Sequence, residues 1–287
     1  MSNRTKGILL LVASAFGFAV MATMVRLCDD CGGPVSSFQK SFFRNVVALA
    51  VALAAFLRSR PHPHLSHFSH LSHLFLRSLL GTVGIFANFY ALSHITIAEG
   101  QTLNKTAPFF TVVFAWLFLG ERASRRQFLA LAVALTGVVL IAKPGFAGEQ
   151  AFALAMGLLG GVCAGGAYAC VRALRRHAVS PSFIVLFFSA FSCLASVPFM
   201  LAGFDPMTWR QVLILLGAGG GAAVGQFGFT MAYGYAAPKD IAVFDYSGIL
   251  FAAAFGFLFF GQVPDLPSVL GFALILLAAY LLARARP

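Results

Sequence analysis

Ten predominantly apolar runs alternate with short polar connections along the chain, at 7–26, 36–57, 74–93, 98–119, 127–143, 151–172, 181–201, 209–235, 239–260 and 266–284. A helix of about 20 residues, rising 1.5 Å per residue, crosses a hydrocarbon core of roughly 30 Å. Such a helix satisfies its own backbone hydrogen bonds in lipid, where a loop does not. The connections RSRPHPH, GERASRR, KPGFAGEQ, RRHAVSP, AGFDPM, APKD and GQVPD collect most of the proline and charge. Nothing is left over for a water-soluble domain. The pattern predicts an all-α integral membrane protein of ten transmembrane helices.

The apolar pattern also repeats. ALSHITIAEGQTLNKTAPFFTVVFAWLFLGE, starting at Ala91, aligns without a gap to AYGYAAPKDIAVFDYSGILFAAAFGFLFFGQ, starting at Ala232, and the register continues into LALAVALTGVVLIAK against LGFALILLAAYLLAR. Weaker echoes set MVRL near 24 against CVRAL near 170, and VSSFQKSFF against SPSFIVLFF. Apolar matches come easily in membrane helices, so the equivalent FLG and FFG ends and the equal loop lengths carry the comparison. The chain is therefore expected to consist of two five-helix repeats, 1–143 and 144–287. Five is odd, so the second repeat is inverted relative to the first, an arrangement that places a site near the midplane.

Composition agrees with this architecture: 60% of residues are hydrophobic and 10% charged, and the mean hydropathy is +0.87. A globular chain carries about a quarter charged residues. The net charge of +11 does not mark a nucleic-acid partner, because no soluble basic face exists to bind one. It follows from topology. With the N-terminus inside, fourteen of the twenty Lys and Arg fall on inner flanks, among them Arg58, Arg77, Arg122, Arg172, Arg176 and Lys239. Cytoplasmic flanks are enriched in such residues, so both termini are expected in the cytoplasm. The first apolar run is long for a signal-peptide core and lacks a small-residue cleavage site, which predicts a retained helix.

The doubled five-helix unit, Pro108 and the Gly120-Glu121 ending of the fourth segment, and its echo GQVPDLPSVLGFALILLAAYLL resemble the drug/metabolite transporter superfamily, specifically its EamA-like members. The resemblance spans essentially the whole chain. It implies a ten-helix permease of the bacterial inner membrane. In that arrangement helices 1 to 4 and 6 to 9 surround a central cavity, 5 and 10 lie outside, and the direction is export. Gln262 departs from the acid expected opposite Glu121, so the two ends are not expected to use the same charge contact.

Candidate chemistry sits inside the helices. If the fourth helix begins at Ala98, Lys105 lies about 10 Å below the outer edge. The repeat offset matches Asn104 to Asp245 and Lys105 to Tyr246, and places Asp245 about 9 Å above the inner edge. Roughly 10 Å along the membrane normal then separates the cation from the carboxylate, so the two are expected to hold opposite ends of a small polar solute without touching. Lys40 and Arg44 share a helix face at a spacing of four. Three such cations favour a carboxylate or a zwitterion, amino-acid-like in size. The alternative reading makes Lys40 a snorkelling residue and Arg44 a partner of Asp29, Asp30 or Glu99. Asn88, Tyr90, Gln226, Tyr233 and Tyr246 complete the candidate polar contacts, and Asp245 is the candidate group for proton coupling.

Other features point away from chemistry. Gly157, Gly161 and Gly165 at four-residue spacing predict close helix packing. The tract carrying His62, His64, His67, His70 and His73 has low complexity and no accompanying acid or thiol, so no metal or other cofactor is expected. Cys28 and Cys31 form a CxxC that could close a disulfide in an oxidising periplasm. The scattered acids Asp205, Asp265 and Glu149 form no catalytic constellation, which argues against an enzyme. A passive channel would need a continuous water path, whereas inverted halves favour alternating access to a small-molecule substrate.

Overall fold

The computed structural model describes residues 1–33, 35–59, 68–94, 103–142, 151–261, 263 and 265–284. The helices are α1 (Asn3–Gly32), α2 (Ser37–Ser59), α3 (Phe68–His94), α4 (Ala107–Leu119), α5 (Arg125–Ala142), α6 (Ala151–Arg176), α7 (Pro181–Ala202), α8 (Trp209–Tyr235), α9 (Ser247–Phe260) and α10 (Leu266–Arg284). A short helix, Pro238–Ile241, and a 3-10 segment, Ala242–Tyr246, lead into α9. There is no strand among the described residues. Seven stretches are long and apolar enough to cross a membrane, and Ala107–Leu119 and Leu266–Leu281 are shorter apolar helices. Large apolar side chains such as Phe118, Leu194, Leu201 and Leu258 are exposed around the bundle, as a lipid-facing surface requires.

Local sequence sets most boundaries. α4 and α9 both end on a left-handed glycine, Gly120 at φ 67° and Gly261 at φ 62°, and their N–H groups donate back to the carbonyls of Ala115 and of Gly256 and Phe257. Only glycine takes this conformation without a steric penalty, so the FLG and FFG ends are equivalent stops. Thr208 starts α8 with a reciprocal cap: its hydroxyl accepts from the Gln211 N–H, and Gln211 Oε1 accepts from the Thr208 N–H. α3 begins at Phe68, not near residue 74, because its first turns draw on the histidine tract.

The fourth and ninth segments are not the continuous helices that their apolar patterns predict. At residues 103–104 the chain is helical, Lys105 and Thr106 form a turn, and regular helix resumes only at Ala107. The equivalent stretch of the second half is the 3-10 segment ending at Tyr246. Residues 95–102, where the fourth helix was expected to begin, lie outside the described residues.

Each half packs mainly on the other half. The broadest contacts join α1 to α8, α3 to α6, α5 to α10 and α2 to α7, followed by α4 to α6, α2 to α8, α1 to α9 and α3 to α7. Exchanging each helix for the one five places on maps this set of pairs onto itself. Small residues allow the close approach: a Cβ on Gly17 would stand 2.8 Å from the Gly221 carbonyl oxygen, and one on Gly137 would stand 2.6 Å from that of Gly271. The α5–α10 pair shares an apolar cluster of Leu131, Ala134, Val138 and Ile275 with Val112 of α4 and Val243 and Tyr246 of the 3-10 segment.

Candidate functional site

Two interrupted segments meet in the middle of the bundle, and the charges lie at their breaks. Lys105 Nζ stands 3.5 Å from Asp245 Oδ2 and donates to the Asp245 carbonyl at 3.4 Å. The expected separation of roughly 10 Å is thus replaced by a direct ion pair. A regular α-helical rise does not hold through either charge, since Lys105 stands in a turn and Asp245 in a 3-10 segment, which rises about 2.0 Å per residue and carries the carboxylate deeper. The pair lies beside Ala15, midway along α1, and Gly248 leaves room for the ammonium: a Cβ there would stand 2.9 Å from Nζ. α4 and α9 start immediately after these residues, so the positive ends of both helices face the same centre.

The sequence placed Arg77 on an inner flank, where it served only topology. In the structure it is 2% exposed. Ten residues into α3, it donates from Nη2 to Gln226 Oε1 at 2.8 Å and lies 3.6 Å above the Phe188 ring. The missed signal was the early start of α3, six residues before the expected one, which sets Arg77 about 9 Å further from the helix start. Arg44 is 6% exposed, its Nε has no hydrogen-bond partner, and no carboxylate pairs with it among the described residues. Arg77, Arg44 and Tyr168 lie within electrostatic range of one another, and Tyr168 is also within range of Asp245. Tyr168, another residue the sequence reading missed, packs on Phe229 at 4.5 Å between ring centroids. Tyr233 is buried in the same aromatic group, next to Thr111.

Several sequence candidates fall elsewhere. Lys40 pairs with Asp29 at 2.7 Å near the end of α1, far along the chain from the centre, because α1 remains helical to Gly32 and carries Asp29 over the start of α2. The alternative reading paired Arg44 with Asp29, Asp30 or Glu99; Asp29 is taken by Lys40, and Glu99 lies outside the described residues. Tyr90 is 39% exposed and packs edge-on to Phe152 at the periphery. Tyr246 turns into the α5–α10 cluster, where its hydroxyl has no partner. Asn88 packs against Gly160 of α6, with Oδ1 buried and without a partner, and Asn104 is half-buried in the turn beside Lys105. The gathered set is therefore Lys105, Asp245, Arg44, Arg77, Gln226, Tyr168 and Tyr233.

The exposed pair makes a modest prediction. Lys40→Met removes an ion pair whose acid is 37% exposed, so it costs about 0–1 kcal/mol and leaves any ligand response at the centre unchanged. Thermal melts with and without ligand measure both quantities, and loss of the ligand response in this variant would restore Lys40 to the site.

The bundle end that carries the N-terminus is laced shut. Glu121, just past α4, accepts from Arg172 Nε at 2.8 Å and lies 3.7 Å from Arg176, while Arg172 Nη1 donates to the Tyr233 carbonyl at 2.9 Å. Gln127 Nε2 donates to Asp240 at 2.9 Å. At the opposite end the residue matching Arg172 is Arg26, which lies 4.6 Å above the Phe260 ring; Gln262 is outside the described residues. Two surface recesses lie away from the charged centre: one of about 410 Å³ is lined by His73, Leu119, Arg176 and His177, another of about 290 Å³ by Lys6, Leu10 and Tyr235.

His62, His64 and His67 lie outside the described residues, and His70 stacks on His177 at 4.7 Å. Among the described residues no three metal-ligating side chains gather. Cys28 and Cys31 are free thiols: one is buried, the other exposed on the same helix. This replaces the disulfide that their spacing allowed.

Comparison with known proteins gives consistent results. The model of the EamA-like transporter family matches residues 5–143 and 151–284. The pseudopaline exporter CntI of Pseudomonas aeruginosa is 32% identical over 283 residues, covering 98% of this chain and 96% of that protein. An uncharacterized transporter of Helicobacter pylori is 26% identical over 96% of this chain and 94% of its own length. A riboflavin transporter of Rhizobium johnstonii is 30% identical over 72% of this chain and 68% of its own. A solved crystal structure aligns with a TM-score of 0.77 and 20% identity over 96% of each chain, a likeness of fold. The named relatives are transporters and not enzymes.

Proposed function

This chain belongs to the EamA-like transporter family, and from that premise we propose that it is a secondary active transporter of the bacterial inner membrane. It moves a small polar or amphipathic metabolite, amino-acid-like, with a carboxylate or zwitterionic head. Two inverted repeats, 1–143 and 144–287, give alternating access to a site between them, with both termini cytoplasmic.

The observation that carries this reading is the Lys105–Asp245 pair at the breaks of two interrupted segments. Breaking a helix inside a membrane leaves backbone groups without partners and is tolerated where they meet protein or a solute. An ion pair at such a break can open: the ammonium turns to a solute carboxylate and the Asp245 carboxylate to a solute ammonium or a proton. The Glu121–Arg172 clasp ties together the end that carries the N-terminus, which this reading makes the cytoplasmic one. The exporter among the relatives supports the outward direction.

Reconstitution in proteoliposomes tests the reading. Preloaded amino acids should drive saturable counterflow of a labelled one, with a rate that depends on pH. Asp245→Asn should retain counterflow but lose the pH dependence. Flux that rises linearly with concentration would indicate a passive pore, and unchanged pH dependence in the variant would remove proton coupling at Asp245.

A further inference from the structure

The centre of the bundle holds more positive charge than its own residues balance. Arg44 and Arg77 lie within electrostatic range of each other and of Tyr168, and the acid nearest to that group, Asp245, is engaged by Lys105. Arg77 has one neutral acceptor, Gln226, and Arg44 has none among the described residues although it is nine-tenths buried. An unpaired buried charge is costly, so such a site is retained where a ligand supplies the counter-charge. The N-termini of α4 and α9 add to the same positive potential.

We propose that Arg44 and Arg77 form an anion subsite distinct from the Lys105–Asp245 pair, so that the transported solute carries at least two carboxylates beside its amino group. The inference rests on the transport reading above and narrows its substrate class. Each guanidinium presents a planar fork that matches a carboxylate. Tyr168 lies within electrostatic range of Arg44, Arg77 and Asp245. Two separate carboxylates can each engage one planar fork, a match that a single tetrahedral dianion such as phosphate does not make.

Small acids test the subsite without knowledge of the natural solute. Purified protein is melted in acetate, malonate and inorganic phosphate at equal ionic strength and pH 7. Malonate should raise the melting temperature well above acetate and phosphate. Arg44→Gln should abolish that difference while its ligand-free melting temperature stays at or above the wild-type value, because the substitution removes an unpaired buried charge. Arg44→Lys keeps the charge without the fork and should retain a reduced response. Arg77→Gln should lose the response as well, with some loss of stability from its bond to Gln226.

Equal shifts with acetate and malonate, a larger shift with phosphate than with malonate, or a malonate response that survives Arg44→Gln would each overturn the subsite. Counterflow of a monocarboxylic amino acid, unaffected by Arg44→Gln, keeps transport and removes the two-carboxylate requirement. A malonate response lost in Arg44→Gln, in protein that exchanges no solute, keeps the subsite and removes the transport reading.

Discussion

Asp245→Ala should lower stability by about 3 kcal/mol, and Lys105→Met in the same chain should recover most of that loss without recovering transport. The pair is largely enclosed, with side-chain exposures of 16% for Lys105 and 10% for Asp245. Removing one member of a buried pair costs about 3–5 kcal/mol because the other stays buried and unpaired, and the remaining water access favours the lower end. Replacing both with apolar groups is often neutral or stabilising. The two single substitutions should also be unequal. Asp245→Ala leaves the Lys105 ammonium without an acid, whereas Lys105→Met leaves the carboxylate at the start of α9, whose positive end favours an anion. Thermal or detergent-denaturation midpoints of the four proteins close the cycle. Equal losses from the two single variants would mean that the helix N-termini do not contribute to the field at Asp245. A wild-type midpoint for Asp245→Ala would mean that the pair is not formed in the folded protein.

Gly161→Ala should be nearly as damaging, although no charge is touched. A Cβ at Gly161 would overlap Thr106 Oγ1 and stand 2.5 Å from the Leu103 carbonyl oxygen. Gly157 meets Leu103 and Gly165 meets Phe110 and the Ala107 carbonyl in the same way. The glycine stripe of α6 is therefore the surface on which the interrupted fourth segment rests. Overpacking a tight contact costs about 1–3 kcal/mol. Here the displaced element is the turn holding Lys105, so the response at the centre and transport should fall at least as far as stability. Adding Thr106→Ala removes the hydroxyl but not the carbonyl, and should restore function only in part. Gly220→Ala is the control: nothing lies within 4 Å of its added Cβ, and replacing a helical glycine there should be neutral or gain up to about 1 kcal/mol. Wild-type transport in Gly161→Ala would show that the turn moves freely against α6.

The sequence was informative wherever the physics is local. Run length against bilayer thickness indicated the membrane helices, and α6, α8 and α10 lie almost where the apolar runs do. The FLG and FFG ends became left-handed glycine caps because glycine takes that backbone without a steric penalty. The repeat alignment brought Asn104-Lys105 and Asp245-Tyr246 to matching breaks. Direction and contact were another matter. Tyr90 is peripheral, Tyr246 turns toward α5 and α10, Lys40 is held by Asp29, and Arg77 lies inside the bundle. In a soluble helix an apolar stripe reveals the inward face, but a membrane helix meets apolar atoms on both its lipid side and its protein side. Its rotation about its own axis is therefore almost absent from the pattern. The tertiary structure fixed that rotation through close glycine contacts and buried charges, and so decided which of the polar residues legible in the sequence share one site.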